Sequence, residues 1–227
     1  MTTSLLHSSD NITILGGGAV DSRALGQALA LAPVLVAADG GADAALAAGH
    51  MPRLVIGDFD SISAAARAAI PAVRQHPIAE QDSTDFEKCL RAVTAPLILG
   101  LGLLGARLDH QLAALNTLVR YPDRRCVLVG AKDLCFHCPA NLRLDLPVGT
   151  RVSLFPLAPV TGQSEGLRWP IGGIGFAPGG RIGTSNAASG PVRLRMAGPG
   201  MAVIVPRAHL AEVARALMPG GGGGSGG

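Results

Sequence analysis

The chain has 227 residues, of which 48% are hydrophobic, 15% charged and 3% aromatic. That length builds one large domain or two small ones, and the composition is too apolar for a disordered chain. The net charge is only +3 and its basic residues are scattered, which argues against nucleic acid as a partner. No apolar run approaches the ~20 residues of a membrane span.

The first ten residues are polar and lack an apolar signal core, so the expected compartment is the cytoplasm. From residue 11 onward, apolar runs alternate with helical patterns. Residues 12–15, 34–37, 54–56, 97–101 and 127–129 read as buried strands, and 22–31, 42–48, 63–70, 84–93 and 108–121 as helices. This alternation predicts an α/β domain over 11–132, with a mostly parallel sheet covered on both faces. After about residue 133 the apolar runs shorten, with Gly and Pro between them. Segments 142–146, 151–155, 191–196 and 201–205 predict an antiparallel β-sandwich over 133–219, followed by a helix at 208–217 that Pro219 stops. Residues 220–227 are only Gly and Ser and read as a flexible tail. The cysteines Cys89, Cys126, Cys135 and Cys138 are expected as free thiols. Cys135 and Cys138 have C-x-x-C spacing around His137, but no second ligand pair or thioredoxin-like context accompanies them. Alternating strand residues explain them better than a metal or redox site.

The chemistry concentrates in short polar segments after predicted strands. Gly16-Gly17-Gly18 would let backbone approach a phosphate, or would serve as a tight strand-to-helix turn. Asp39-Gly40-Gly41 is either a ligand loop beyond a strand end or a helix cap by Asp39. In Gly57-Asp58-Phe59-Asp60-Ser61, an extended backbone would project Asp58 and Asp60 together and turn Phe59 into the core. Adjacent carboxylates repel unless a cation sits between them, and Mg²⁺ with phosphate oxygens suits such a pair. Gln81-Asp82-Ser83-Thr84-Asp85-Phe86-Glu87-Lys88 opens a helix. Thr84 and Glu87 have capping-box spacing, which leaves Gln81, Asp82, Asp85 and Lys88 for chemistry. Arg107 suits phosphate oxygens, and Asp109 would hold Arg107 or His110 or join a metal site. Trp169 would either stack on a cationic ring or fill the sandwich core.

In this order, Asp39-Gly40-Gly41, Gly57-Asp58-Phe59-Asp60-Ser61, Asp82-Ser83-Thr84-Asp85-Phe86-Glu87-Lys88, Arg107-x-Asp109-His110 and Gly183-Thr184-Ser185-Asn186 resemble the thiamine pyrophosphokinase family. The resemblance runs over about residues 11–206. It implies an α/β nucleotide- and metal-binding catalytic domain, a β-sandwich that binds thiamine and forms a homodimer, and active sites shared between subunits. The implied reaction is Mg²⁺-dependent transfer of pyrophosphate from ATP to the hydroxyl of thiamine, leaving AMP. By resemblance, Asp58, Asp60 and Asp85 are the metal-binding and catalytic carboxylates. Lys88, Arg107 and Asp109 fall on the phosphate side, with Asp39, Gly40 and Gly17 at the nucleotide. Gln81, Ser185, Asn186 and Trp169 fall at thiamine, Ser185 and Asn186 being supplied by the partner subunit. The chain departs from the family pattern at Ala106, where Gly is usual, and at Ala114, where Asn is usual and Asn116 lies nearby. Two alternatives stay open: a pyrophosphokinase for another alcohol, such as a hydroxymethylpterin, and a thiamine-binding sensor without turnover.

Overall fold

The computed structural model of the chain describes residues 4–105, 107–183 and 185–218, so Ala106, Thr184, Pro219 and the tail at 220–227 lie outside the described residues. The chain folds as two compact units, Met1–Thr117 with Leu128–Ala131, and Leu118–Val127 with Lys132–Gly227.

In chain order the first part runs β1 (Leu6–His7), β2 (Ile12–Leu15), α1 (Ser22–Leu31), β3 (Val34–Ala38), α2 (Gly41–Ala47), β4 (Leu54–Gly57), α3 (Ala64–Ala69), β5 (Gln75–Pro77), α4 (Asp85–Ala92), β6 (Val93–Thr94), β7 (Ile98–Leu101), α5 (Leu108–Arg120) and β8 (Cys126–Val129). The strands lie in the order β7-β2-β3-β4-β5, and every one of these pairings is parallel. All residues of β2, β4 and β7 are buried, as expected of strands covered on both faces. The helices start where short polar side chains take up the unpaired N–H groups. Asp21 accepts from Ala24 N at 2.7 Å, Ser63 from Ala66 N at 3.0 Å and Thr84 from Glu87 N at 3.3 Å. One core cluster bears on function: Ala37, Ala42, Val55, Ile62, Ala66 and Ile70 pack together, with Leu46 and Phe59 against them. A fully buried Ile contributes about 1.5–3 kcal/mol, so Ile62, with the partly buried Phe59 packed against the same cluster, anchors the loop between β4 and α3.

The second part holds β9 (Asp133–His137), β10 (Asn141–Leu144), β11 (Arg151–Pro156), β12 (Gly162–Leu167), β13 (Ser185–Met196), β14 (Met201–Pro206) and α6 (Leu210–Leu217). Its pairings β10–β13, β12–β13, β11–β13, β11–β14 and β9–β14 are all antiparallel. Strand β13 begins at Ser185 rather than near 191. Its first residues pair with β11, and from Ala188 onward it pairs with β12 and β10. Pro191 falls in the gap between registered pairs, where its missing N–H interrupts no ladder. Short or glycine-containing strands (β1, β5, β6 and β12) carried no periodic signal in the sequence. Strand β9 contains Cys135, and Leu134, Cys135 and Phe136 are all buried, so the strand is covered on both faces rather than alternating.

Two glycines test this packing. A Cβ on Gly41 would lie 1.9 Å from the carbonyl oxygen of Leu15, backbone against backbone. At Gly26, in the middle of α1, a Cβ meets nothing within 4 Å. Gly26→Ala is expected to gain about 0.5–1 kcal/mol. Gly41→Ala is expected to cost about 3 kcal/mol or more. Urea unfolding of the two variants checks both signs.

Candidate functional site

Parallel α/β sheets present ligands with the carboxyl ends of their strands, and the acidic segments lie there. Asp39 follows β3 and Asp58 follows β4. Among the described residues, Asp39 (φ 42°) and Phe59 (φ 67°) are the non-glycine residues at positive φ. Left-handed backbone at such residues costs on the order of 1 kcal/mol or more and persists only where surroundings enforce it. The expectation of extended backbone through Asp58 and Asp60 is therefore corrected: the chain turns at Phe59. Phe59 still packs on the core. The carboxylates converge by this turn instead, and one oxygen from each of Asp39, Asp58 and Asp60 lies within 4.8 Å of the others.

Asp39 is 2% exposed, and its side chain does not cap α2, whose N-terminal residue Gly40 makes no side-chain cap. Its two oxygens instead accept from Ser61 N at 3.0 Å and Ile62 N at 3.1 Å, which fastens the β4–α3 loop to the end of β3. Burial raises the Asp39 pKa to about 6; the hydrogen bond from Ser61 opposes this, while Asp60 and the charge of Asp85 add to it. Asp58 is held below the usual carboxylate range, first by Gln81 Nε2, which donates to it at 3.0 Å, and also by Lys88.

Helix α4 supplies the cation. Lys88 is 1% exposed, and its Nζ lies 3.1 Å from Asp85 and 3.5 Å from Asp58. Burial works against its charge, but Asp85 and Asp58 outweigh that and raise its pKa. Asp85 is adjacent to the trio: a Cβ built on Gly57 would lie 2.7 Å from Asp39 Cβ and 3.1 Å from Asp85 Oδ1. Gly57 is thus the residue whose missing side chain lets these carboxylates approach, a role the sequence reading did not assign. Its signal was a glycine closing a strand directly before paired aspartates. Glu80 was also missed. It accepts from Ser83 Oγ and Arg91 Nη2, both at 2.5 Å, and from the N–H groups of Asp82 and Ser83, so it shapes the turn that leads into α4.

The remaining residues lie as follows. Gly17 faces Gly40 and Gly41, with a built Cβ 3.7 Å from Gly40 C. Gly18 N donates to Gly102 O at 3.0 Å, so the glycine run packs as a tight turn. Arg107 and Asp109 bond to each other at 2.5 Å and 3.2 Å, and both side chains are mostly exposed. In the second unit a cavity of about 410 Å³ is lined by Trp169, Ile171, Phe176, Arg181, Ser185 and Asn186 among others. Trp169 is 54% exposed, which rules out a core role. A bulge at Gly166 (φ 69°) interrupts β12 just before it. Asn186 spends its amide on Trp169, accepting from its N at 3.1 Å and donating to its O at 2.7 Å. Arg168 lies 4.8 Å from the centre of the Trp169 ring. Cys135 and Cys138 are buried free thiols, and His137 Nε2 accepts from Gly200 N at 3.2 Å.

Fold and site together define a parallel α/β domain with a carboxylate cluster and a buried lysine at its strand ends. Residues 25–129 match the family model for the catalytic domain of thiamin pyrophosphokinase. Among curated proteins, thiamine pyrophosphokinase 3 of Oryza sativa subsp. japonica is 29% identical over 156 residues, and thiamine pyrophosphokinase 1 of Arabidopsis thaliana is 31% identical over 156 residues. Each match takes in 60% of this chain and 58% of the relative, so the chain spans less than two thirds of those proteins. The fold matches thiamin pyrophosphokinase from Geobacillus thermodenitrificans at a TM-score of 0.71 and 24% identity, covering 86% of this chain and 96% of that one. It matches the yeast enzyme at a TM-score of 0.71 and 17% identity, covering 88% and 87%. The family model and the sequence relatives thus liken this chain, over residues 25–129 for the model, to thiamine pyrophosphokinases, and the solved structures share its fold.

The depressed pKa of Glu80, about 2 against an ordinary 4.5, comes first from Ser83 and then from Arg91. A carboxylate whose pKa falls on folding contributes stability above its unfolded pKa and loses it as pH drops toward the folded value. Glu80 is partly exposed, so solvent reduces the contribution to about 1 kcal/mol. Glu80→Gln is expected to be less stable than the parent by that amount at pH 7, with the gap narrowing steadily below pH 4.5. Urea titrations at pH 7 and pH 3 measure it.

Proposed function

We propose that this chain is a thiamine pyrophosphokinase that moves the pyrophosphoryl group of ATP onto the hydroxyl of thiamine. The observation that carries the proposal is the convergence of Asp39, Asp58 and Asp60 within 4.8 Å beside Lys88 and Asp85, inside a matched catalytic domain. A buried carboxylate with a raised pKa, next to two more, fits a hard divalent cation, since an added positive charge would remove the repulsion. Asp39, Asp58 and Asp60 would hold Mg²⁺, with Asp85 beside them. Bound there, Mg²⁺ would neutralise phosphate oxygens as charge shifts during transfer.

The other roles belong to the chain itself. Lys88 gives a fixed cation in the first turn of α4, and Arg107 with Asp109 forms the outer phosphate-side pair. Gly17 and Gly40 leave room for nucleotide to approach backbone. The hydroxyl oxygen of thiamine attacks the β-phosphorus, the bond from that phosphorus to the oxygen bridging the α-phosphate breaks, and AMP leaves. The hydroxyl proton passes to one of the carboxylates. Positioning and electrostatics account for most of the rate. The cavity of the second unit takes thiamine, with Trp169 as an aromatic wall, Asn186 holding its backbone, and Ser185 at the rim. Gln81, bonded here to Asp58, serves the thiamine held by the second unit of the partner chain. In this reading the antiparallel sheets of residues 133–219 form a sandwich, two chains pair so that their sites are shared, and the enzyme works in the cytoplasm. Among the described residues no helix is long and apolar enough to cross a membrane.

The test is thiamine-dependent release of AMP from ATP with Mg²⁺. Asp58→Ala and Asp60→Ala should each lower kcat by about a hundredfold or more while the proteins stay folded. Turnover near that of the parent in both variants would refute the metal role. AMP release with a hydroxymethylpterin but not with thiamine would reassign the substrate, and thiamine binding without AMP would make the chain a sensor.

A further inference from the structure

The amino-terminal ends of the same strands carry a second concave surface. A cleft of about 680 Å³ is bounded by the start of β3 at Pro33, Val34 and Leu35, by Arg53 just before β4, and by Arg74 just before β5. It lies wholly in the first unit, at the end of the sheet opposite the acidic cluster. At about 3.3 Å per residue along β3, the two are roughly 15 Å apart. The volume is in the ordinary range for small-molecule sites, about 300–1,000 Å³.

Its lining is one-sided in charge. His7, His50, Arg53 and Arg74 contribute four basic side chains, and no Asp or Glu lines it. Leu6, Leu29, Val34, Leu35 and Met51 supply an apolar floor, with Met51 45% exposed. Arg74 is held in place by donating from Nη1 to Pro52 O at 3.1 Å, which leaves its remaining donors available. The C-termini of α1 and α2 point to this end of the sheet, and several of their last carbonyls are already satisfied. Leu31 O accepts from Asn11 Nδ2, Ala32 O from Thr13 Oγ1 and Ala45 O from His50 N.

We propose that this cleft is a second binding site, for a small phosphate monoester with an apolar body. Two guanidinium groups and two imidazoles offer more donors than a single carboxylate takes up, and they match the oxygens of a phosphate dianion. The apolar floor receives the organic part. The site is separate from the proposed catalytic centre and does not depend on it.

Phenyl phosphate is the probe. It is titrated into the full chain by calorimetry in EDTA, without ATP, Mg²⁺ or thiamine. Saturable binding at one molecule per chain is expected, with a Kd on the order of 1 mM or tighter. Arg53→Ala should weaken it at least about tenfold and His50→Ala severalfold, while AMP release is unchanged. Benzyl alcohol, neutral and of similar shape, should bind at least about tenfold more weakly. Arg181→Ala, in the cavity of the second unit, should leave binding as it was. Thermal melts confirm that the variants fold. Absence of saturable binding, equal binding to Arg53→Ala, equal affinity for benzyl alcohol, or loss in Arg181→Ala would each overturn the proposal.

Discussion

Mutual repulsion among converging carboxylates, one of them buried, is the constraint around which the first unit is arranged. Asp39, Asp58 and Asp60 approach within 4.8 Å, with Asp85 near Asp39, and such a group disperses unless something opposes it. Three features oppose it here. The N–H groups of Ser61 and Ile62 bind Asp39, Lys88 bridges Asp58 and Asp85, and Ile62 and Phe59 pin the loop to the core. Asp39 keeps a raised pKa, first because it is buried and then because Asp60 and Asp85 lie beside it. Asp39, Asp58, Asp60 and Asp85 set against Lys88 leave the cluster net negative, the charge that the proposed cation would offset.

The backbone accepts strain for this arrangement. Asp39 and Phe59 adopt positive φ without being glycine, while Gly57, where a side chain would strike Asp39, is glycine. Non-glycine residues in left-handed backbone gather where local geometry serves a site. The hydrophobic cluster beneath supplies the rigidity: β3, α2, β4 and α3 contribute to it, and those same elements carry Asp39, Asp43, Asp58 and Asp60 or flank them. Asp43 adds a second tie by accepting from Ser63 N at 3.0 Å and from the Ser63 hydroxyl.

Much of this was legible in the sequence, for physical reasons. Fully buried parallel strands are continuous apolar runs, so β2, β3, β4, β7 and β8 stood out, and the capping-box spacing of Thr84 and Glu87 marked the start of α4. What could not be read was conformation decided by tertiary contact. Nothing local says that Phe59 turns left-handed, so the reason expected for pairing Asp58 with Asp60 was wrong although the carboxylates do meet. Asp39 carried two equal local readings, and only the fold shows its oxygens bound to a loop more than twenty residues away. Trp169 was open to both a ligand and a core reading, and only the fold shows it 54% exposed. The basic cleft was invisible for the same reason: His7, His50, Arg53 and Arg74 are scattered in sequence and line one cleft only once the chain is folded.

The central claim is that the acidic cluster is a cation site. Direct titration with Mn²⁺, followed by the loss of its free electron paramagnetic signal, addresses it without requiring turnover. Saturable binding to the parent chain is expected, weakened at least about tenfold when Asp58 and Asp60 are both changed to Asn in a protein that still folds. Mn²⁺ affinity unchanged by that double substitution would contradict the account.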